Sequence, residues 1–162
     1  MSEIDIRFEG PANRPGCEAG EAGSPSWLDA CREFIASALR ELGAGDWELS
    51  VLFCDDPFIR ELNRRYRGLE EPTDVLSFSQ EPGLAPRAPA QTRVAGDIVI
   101  SLDTLARNAR REGQSKETEL KRLLIHGMLH LQGLDHAEEG DSEMLRIQER
   151  LLERLLEKRI EL

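Results

Sequence analysis

Cysteine, histidine and aromatic residues are scarce in this chain of 162 residues, which has three cysteines, three histidines and 5% aromatic side chains. Cys17, Cys31 and Cys54 are odd in number, widely spaced and free of C-x-x-C pairing, which argues against a disulfide framework and for a reducing compartment. No apolar run approaches the roughly 20 residues that span a bilayer. The first ten residues lack the basic and apolar segments of a secretory signal. We therefore expect a cytoplasmic protein with no membrane association.

The charge of the chain is acidic overall but unevenly distributed. The formal net charge is −10, whereas residues 57–125 carry 12 basic and 10 acidic side chains. The segment "IRELNRRYRG" holds four of these bases: Arg60, Arg64, Arg65 and Arg67. A local basic face can bind phosphate groups on an acidic protein, because individual contacts set that interaction. On charge alone, a solvated helix face explains the segment equally well.

The periodicity of apolar residues predicts a single α+β domain over residues 1–162. Alternation predicts strands over residues 3–8, 47–54, 73–79 and 94–101. Helical spacing, with cap and glycine signals, predicts helices over residues 26–43, 56–68, 101–113, 115–133 and 141–162. The Gly- and Pro-rich segments 9–25 and 81–93 are expected to be loops. This order favours one small sheet of about four strands packed against several helices, with the candidate metal site described below on a central helix.

The starts of the predicted helices are assigned to particular side chains, among them Ser101 for the third helix and Ser115 for the fourth. Ser26 and Asp29 have the spacing of a capping box. Asp56 is the expected N-cap of the next helix, with Pro57 at its first helical position.

All three histidines lie in "HGMLHLQGLDH", residues 126–136. His126 and His130 are four apart on a predicted helix, so both imidazoles leave one face about one turn apart and can reach one ion. Gly133 permits a left-handed residue that ends the helix and lets the chain bring His136 to the same ion. Three protein ligands leave a fourth position open, which is typical of catalytic zinc. The spacing therefore predicts a site for one Zn²⁺ ion, although nickel and copper also suit three imidazoles.

Gly127 stands where zinc peptidases with H-E-x-x-H spacing carry a glutamate general base. Amide hydrolysis by the usual route is therefore disfavoured, because a glycine can neither take up nor deliver a proton. Asp135 could act as a substitute base or orient a ligand imidazole, and capping a turn explains it equally well. A phosphodiester of RNA needs less help from a leaving-group acid, since an arginine can stabilise the charge of the phosphorane. A zinc metallopeptidase with a substitute base stays an alternative.

Together with "LNRRYRGLEEPTDVLSFS" and "GDIVIS", the motif "HGMLHLQGLDH" resembles the YbeY family of bacterial metal-dependent endoribonucleases, also called rRNA maturation factors. The resemblance covers roughly residues 47–140 and includes the glycine after the first histidine. It implies a cytoplasmic, zinc-binding, single-strand-specific endoribonuclease. It also implies a role in late maturation of the 16S rRNA 3′ end and in ribosome quality control, with rRNA, the small ribosomal subunit and assembly proteins as partners.

The resemblance further implies roles for individual residues. His126, His130 and His136 match the metal ligands of the family. Arg67 in "YRG" matches the arginine that the family uses in its active-site cleft, where we expect it to bind phosphate or to stabilise the transition state. The alternative for Arg67 is a surface salt bridge.

Four further polar residues are expected near the cleft in structural roles. Thr73, Asp74 and Ser77 in "PTDVLSF" are expected to fix the turn and strand beside it. Asp97 in "GDI" is expected either to be buried beside the site or to satisfy a backbone turn.

A non-enzymatic ribosome-assembly factor with a structural metal remains a further alternative to the nuclease.

Overall fold

The computed structural model describes residues 2–9, 26–80, 93–134 and 140–162, except for the side chains of residues 140–142. The predicted loops at 9–25 and 81–93 fall almost entirely outside these residues. The described part contains four strands and five helices, in the order β1 (Glu3–Phe8), α1 (Trp27–Glu41), β2 (Trp47–Cys54), α2 (Asp56–Arg67), β3 (Val75–Ser79), β4 (Arg93–Ser101), α3 (Leu102–Arg111), α4 (Lys116–Leu131) and α5 (Gly140–Arg154). The predicted α+β class and four-stranded sheet are confirmed.

The strands lie in the order β1-β2-β4-β3 within the sheet. β1 and β4 both run parallel to β2, whereas β3 runs antiparallel to β4 and forms one edge. β2 and β4 are therefore central, and most of their side chains are buried. Ile98 of β4 pairs with Val51 on one side and with Ser77 on the other. This residue consequently sits at the middle of the sheet.

The two faces of the sheet carry separate apolar clusters. The larger cluster joins the sheet to α1, α4 and α5 and includes Phe53 and Ile98. The smaller cluster joins the sheet to α2 and contains Ile59 and Val99. Successive strand residues point to opposite faces, which explains why the neighbours Ile98 and Val99 belong to different clusters.

The start of α2 is fixed by two consecutive aspartates. Asp55 is the N-cap, and its carboxylate accepts a 3.0 Å hydrogen bond from a backbone N–H of the first turn. The prediction of Asp56 as the cap is wrong by one residue, because Asp56 accepts bonds from the Ser101 and Thr104 hydroxyls instead, both 2.6 Å long. Burial raises the pKa of Asp56, but these bonds and the Arg107 guanidinium outweigh that effect and hold the pKa below its usual value. The cluster ties α2 to α3.

One further capping interaction and one helix end differ from the prediction. The Ser26 side chain makes no capping hydrogen bond, so the predicted capping box with Asp29 is wrong. α5 ends at Arg154 instead of continuing to residue 162. Beyond it the chain returns to the core, where Ile160 is fully buried and donates its N–H to the Glu117 carboxylate at 2.9 Å. The buried side chain of Ile160 and its bond to Glu117 hold this segment against the core.

Cys31 and Cys54 are buried thiols that form no disulfide. Burial raises the pKa of each to about 12, so both are almost entirely protonated at neutral pH. No helix in the described part of the chain has the length and apolar character needed to cross a membrane.

Candidate metal centre

His126 and His130 project from the same face of α4, near its carboxyl end. Their Nε2 atoms are 3.0 Å apart, and their rings lie at 78° with centroids 4.5 Å apart. The helix starts as predicted at Ser115, whose hydroxyl accepts the Thr118 N–H at 3.1 Å. The four-residue spacing of the histidines therefore becomes one helical turn, and the structure brings two of the three predicted ligands together.

The separation of the two Nε2 atoms fits a shared metal ion. Two nitrogens that each lie about 2.1 Å from a tetrahedral zinc are about 3.4 Å apart, a few tenths of an ångström more than the separation in this structure. The pair also suits a hydrogen bond between the rings when one of them carries its proton on Nε2. Both side chains are half-buried, so their nitrogens stay accessible from the cleft described below.

The third predicted ligand, His136, lies outside the described residues, as does Asp135. Within the described ranges, no group of three or more His, Cys, Asp or Glu side chains is placed to hold a metal ion. Gly133 has a φ of 89°, and the Leu134 N–H donates back to the Leu129 carbonyl at 3.2 Å. The predicted left-handed stop at Gly133 is thus confirmed, while His136 as a ligand stays a prediction.

Gly127 occupies the side of α4 that rests on the sheet. A Cβ atom here would lie 2.9, 3.0 and 3.1 Å from three side-chain carbons of Ile98, whereas carbon atoms pack best at about 3.5–4.0 Å. Ile98 is fully buried, so it cannot retreat without disturbing its neighbours. The missing glutamate therefore has a structural cause. α4 lies too close to the sheet for a side chain, and position 127 faces Ile98.

An open cleft of about 490 Å³ lies between α4 and the edge strand β3. The cleft is lined by both histidines, by residues of β3 and by the turn before β3. Arg67, the last residue of α2, also lines it. α2 stops at Gly68, which has a φ of 70°. Arg67 is exposed, and no described residue forms an ion pair or hydrogen bond with its guanidinium. The structure thus places Arg67 on the same cleft as His126 and His130.

The other arginines of α2 have different surroundings. Arg64 makes two hydrogen bonds to the Glu61 carboxylate, of 3.0 and 2.6 Å, and Arg65 lies 3.8 Å from the same group. The hydrogen bonds and charge of Arg64 lower the pKa of Glu61. Of the four arginines in the predicted basic segment, Arg67 is the one that lines the cleft. The segment is therefore not a uniform basic face.

Asp74 anchors the cleft wall at the start of β3. Its carboxylate accepts the Val75 N–H at 2.8 Å and the Asn108 side-chain amide at 3.2 Å. Arg122 approaches it to 3.8 Å and makes two hydrogen bonds to Glu119, whose side chain is fully buried. Asp74 therefore fixes the turn and strand beside the cleft, as predicted. Arg122 and Glu119 are not among the predicted residues, and their i, i+3 spacing on one helix is the signal that points to them.

Asp97 lies on the opposite face of the sheet from the histidines. Its neighbour Ile98 points toward α4, so strand alternation directs Asp97 toward α2. There it lines a second cleft with Tyr66 and Phe78, and its carboxylate accepts the Gln80 side-chain amide at 2.9 Å. Both roles expected for Asp97, burial beside the site and satisfaction of a backbone turn, are therefore wrong.

Comparison with known proteins assigns the family. The family model described as Endoribonuclease YbeY matches residues 19–156. The chain belongs to the YbeY endoribonuclease family. Endoribonuclease YbeY of Treponema denticola is 47% identical to it over 131 residues, which cover 79% of this chain and 84% of the relative. Endoribonuclease YbeY of Heliobacterium modesticaldum is 39% identical over 148 residues, which cover 86% and 89%.

A solved structure shares the fold of this chain. The solution structure of TM1509 from Thermotoga maritima matches this YbeY chain with a TM-score of 0.57 and 26% identity. The match covers 95% of this chain and 92% of the other. The predicted family is thus confirmed, and the α+β fold is shared with this solved structure.

Proposed function

We propose that this protein is a metal-dependent endoribonuclease that cleaves single-stranded RNA. The observation that carries the proposal is one cleft lined by a histidine pair with a 3.0 Å Nε2 separation and by Arg67. The curated relatives named above bear the name endoribonuclease. The peptidase and assembly-factor alternatives find no support among them.

The proposed metal is one Zn²⁺ ion per chain, held by His126, His130 and His136. The Nε2 separation supports this set because it brings two of the proposed ligands together. The helix stop at Gly133 also supports it, because the prediction requires a turn before His136. When bound, the metal would supply a Lewis acid for a phosphoryl oxygen and a water of lowered pKa.

Arg67 is the proposed catalytic residue contributed by α2. Its planar guanidinium can donate two parallel hydrogen bonds to a phosphate group. No carboxylate among the described residues competes for these donors. Negative charge grows on the phosphoryl oxygens as the new bond forms, so a guanidinium held beside them stabilises the transition state more than the ground state.

The environment of Gly127 supports RNA over peptide as the substrate. Peptidases with this ligand spacing protonate the leaving amine through a glutamate at the position that Gly127 occupies here. Here that position faces Ile98, and even a methyl group would crowd it. A phosphodiester whose charge is stabilised by Arg67 does not require that carboxylate.

For the natural substrate we propose precursor 16S rRNA, cut near its 3′ end late in maturation, with a related role in ribosome quality control. The protein would then act in the cytoplasm, with the small ribosomal subunit and its assembly proteins as partners. These assignments are supported by the family to which the chain belongs.

The test is cleavage of a single-stranded rRNA fragment by zinc-loaded protein, with and without a chelator. We expect the chelator and His130→Ala each to abolish cleavage, and Arg67→Ala to lower kcat by about 100-fold, the usual effect of losing one donor to a developing anion. Arg60→Ala is the matched control, because Arg60 lies on the same helix but does not line the cleft. Intact RNA after incubation with fully metallated protein would contradict the proposal, as would cleavage that survives His130→Ala.

A further inference from the structure

The outer edge of β3 carries backbone groups that do not enter the sheet. Two ladder bonds fix the pattern: the Gln80 N–H donates to the Ala95 carbonyl, and the Ser101 N–H to the Asp74 carbonyl. Hydrogen-bonded and non-bonded pairs alternate in an antiparallel ladder. The residues of β3 with even numbers therefore bond to β4, while those with odd numbers point their N–H and C=O groups away from it.

Three residues of β3 consequently face outward with their backbone groups: Val75, Ser77 and Ser79. The Val75 N–H is taken by the Asp74 carboxylate at 2.8 Å. Ser77 and Ser79 have no such partner among the described residues. Both line the cleft, and Ser77 is half-buried whereas Ser79 is exposed.

Ser77 lies level with the histidine turn of α4. It pairs with Ile98 across the ladder, and Ile98 is the residue against which Gly127 packs. Gly127 directly follows His126. Ser77 therefore lies on the cleft wall beside the histidine pair, and its N–H points away from β4 at the open edge of that wall.

We propose that the Ser77 backbone N–H is a substrate-binding group, which donates a hydrogen bond to a phosphodiester oxygen of single-stranded RNA lying along β3. This inference rests on the proposed function and adds a binding residue to it. An amide donor beside the metal site suits an anionic oxygen, because hydrogen bonds to charged groups are the stronger ones. Arg67 on the same cleft favours a phosphate over the neutral carbonyl of a peptide.

A proline substitution isolates this N–H group. Ser77→Pro removes a donor that makes no bond to β4, and edge strands tolerate proline at such positions. Ser77→Ala removes the hydroxyl and keeps the N–H. Ser79→Pro is the matched control, since it deletes the next outward N–H at an exposed position, where water replaces the lost bond at little cost.

We expect Ser77→Pro to lower kcat/KM for RNA by roughly 10- to 100-fold relative to Ser77→Ala, which keeps the N–H, while Ser79→Pro stays within about threefold of wild type. Bound zinc and the melting temperature of Ser77→Pro should remain close to those of wild type. If wild type cleaves RNA and a folded Ser77→Pro variant cleaves it equally fast, this inference is overturned and the proposed function stands. Absence of cleavage by metallated wild type overturns the proposed function itself.

Amide NMR spectra test the hydrogen bond from the Ser77 N–H to RNA without any substitution. They therefore apply even if Ser77→Pro does not fold. The probe is a 2′-O-methyl RNA oligonucleotide added to zinc-loaded wild type. We expect the Ser77 amide proton to move downfield on binding, with smaller changes at Leu76 and Phe78, whose amides bond to β4. A bound oligonucleotide that leaves the Ser77 amide unmoved overturns the inference. The same shift produced by an unstructured peptide, and not by the oligonucleotide, would assign this edge to peptide binding instead.

Discussion

Replacing Gly127 with alanine puts the close contact between α4 and the sheet to the test. In an unencumbered helix interior, alanine stabilises by about 1 kcal/mol relative to glycine. Here the added Cβ would lie 2.9–3.1 Å from three carbons of Ile98, and overpacking of a buried site costs about 1–3 kcal/mol. Two of these carbons are bonded directly to the Cβ of Ile98, so only an unfavourable rotamer or a backbone shift can move them.

The net expectation is a loss of about 1 kcal/mol in the free energy of unfolding for Gly127→Ala. Ile98→Ala alone should cost about 3 kcal/mol. In the double variant the contact is gone and the helix gains from alanine, so its total cost should be about 2 kcal/mol, below that of Ile98→Ala alone. To make room for the added Cβ, α4 should move away from the sheet in Gly127→Ala. RNA cleavage should then weaken, because both histidines move with the helix.

Urea unfolding followed by the fluorescence of Trp27 and Trp47, which are both buried, provides the measurement. If Gly127→Ala is more stable than wild type by the roughly 1 kcal/mol that helix propensity alone predicts, the contact with Ile98 does not constrain this position. Additive costs in the double variant would lead to the same conclusion, since they would mean that the two positions do not interact.

Three further predictions concern stability and thiol chemistry. Asp56 has a lowered pKa, so its contribution to stability is present above about pH 4 and is lost as the pH falls through the folded-state pKa. Asp56→Asn should therefore lower stability at pH 7 and weaken the dependence of the unfolding free energy on pH between pH 5 and pH 3. An unchanged pH dependence in Asp56→Asn would contradict this. Arg122→Leu leaves its buried glutamate partner without a counter-charge and should cost about 3 kcal/mol in urea unfolding, whereas a cost below 1 kcal/mol would show that the pair is unimportant. In a Cys17→Ser variant, Cys31 and Cys54 should react with Ellman's reagent only as fast as the protein unfolds, because their pKa values are about 12; rapid reaction of the folded protein would refute their burial.

Local patterns in the sequence account for the elements and for the spacing of the two described histidines. Strand alternation, the caps at Ser101 and Ser115 and the left-handed glycines each depend on a few adjacent residues. The one-turn separation of His126 and His130 follows from helix geometry alone. These features could therefore be predicted before any tertiary contact was known.

Features that depend on tertiary contacts could not be predicted in the same way. Alternation places Asp97 and Ile98 on opposite faces of β4, but it does not say which face meets α4, and so the expectation for Asp97 was wrong. The glycine at position 127 is visible in the sequence, whereas its cause, a buried isoleucine 29 positions earlier, is a contact between two elements. Beyond the end of α5 at Arg154, Ile160 likewise joins a core cluster shared with other helices, a contact that helical periodicity does not predict.

We expect metal binding by the histidine pair and RNA cleavage to depend on each other. The most direct measurement adds Zn²⁺ in steps to chelator-treated protein and records bound metal and the rate of single-stranded RNA cleavage in the same samples. We expect the rate to rise in proportion to bound zinc and to level off at one ion per chain, and His130→Ala to show neither zinc binding nor cleavage. Full cleavage by protein without bound metal, or one bound zinc per chain without cleavage, would contradict this expectation.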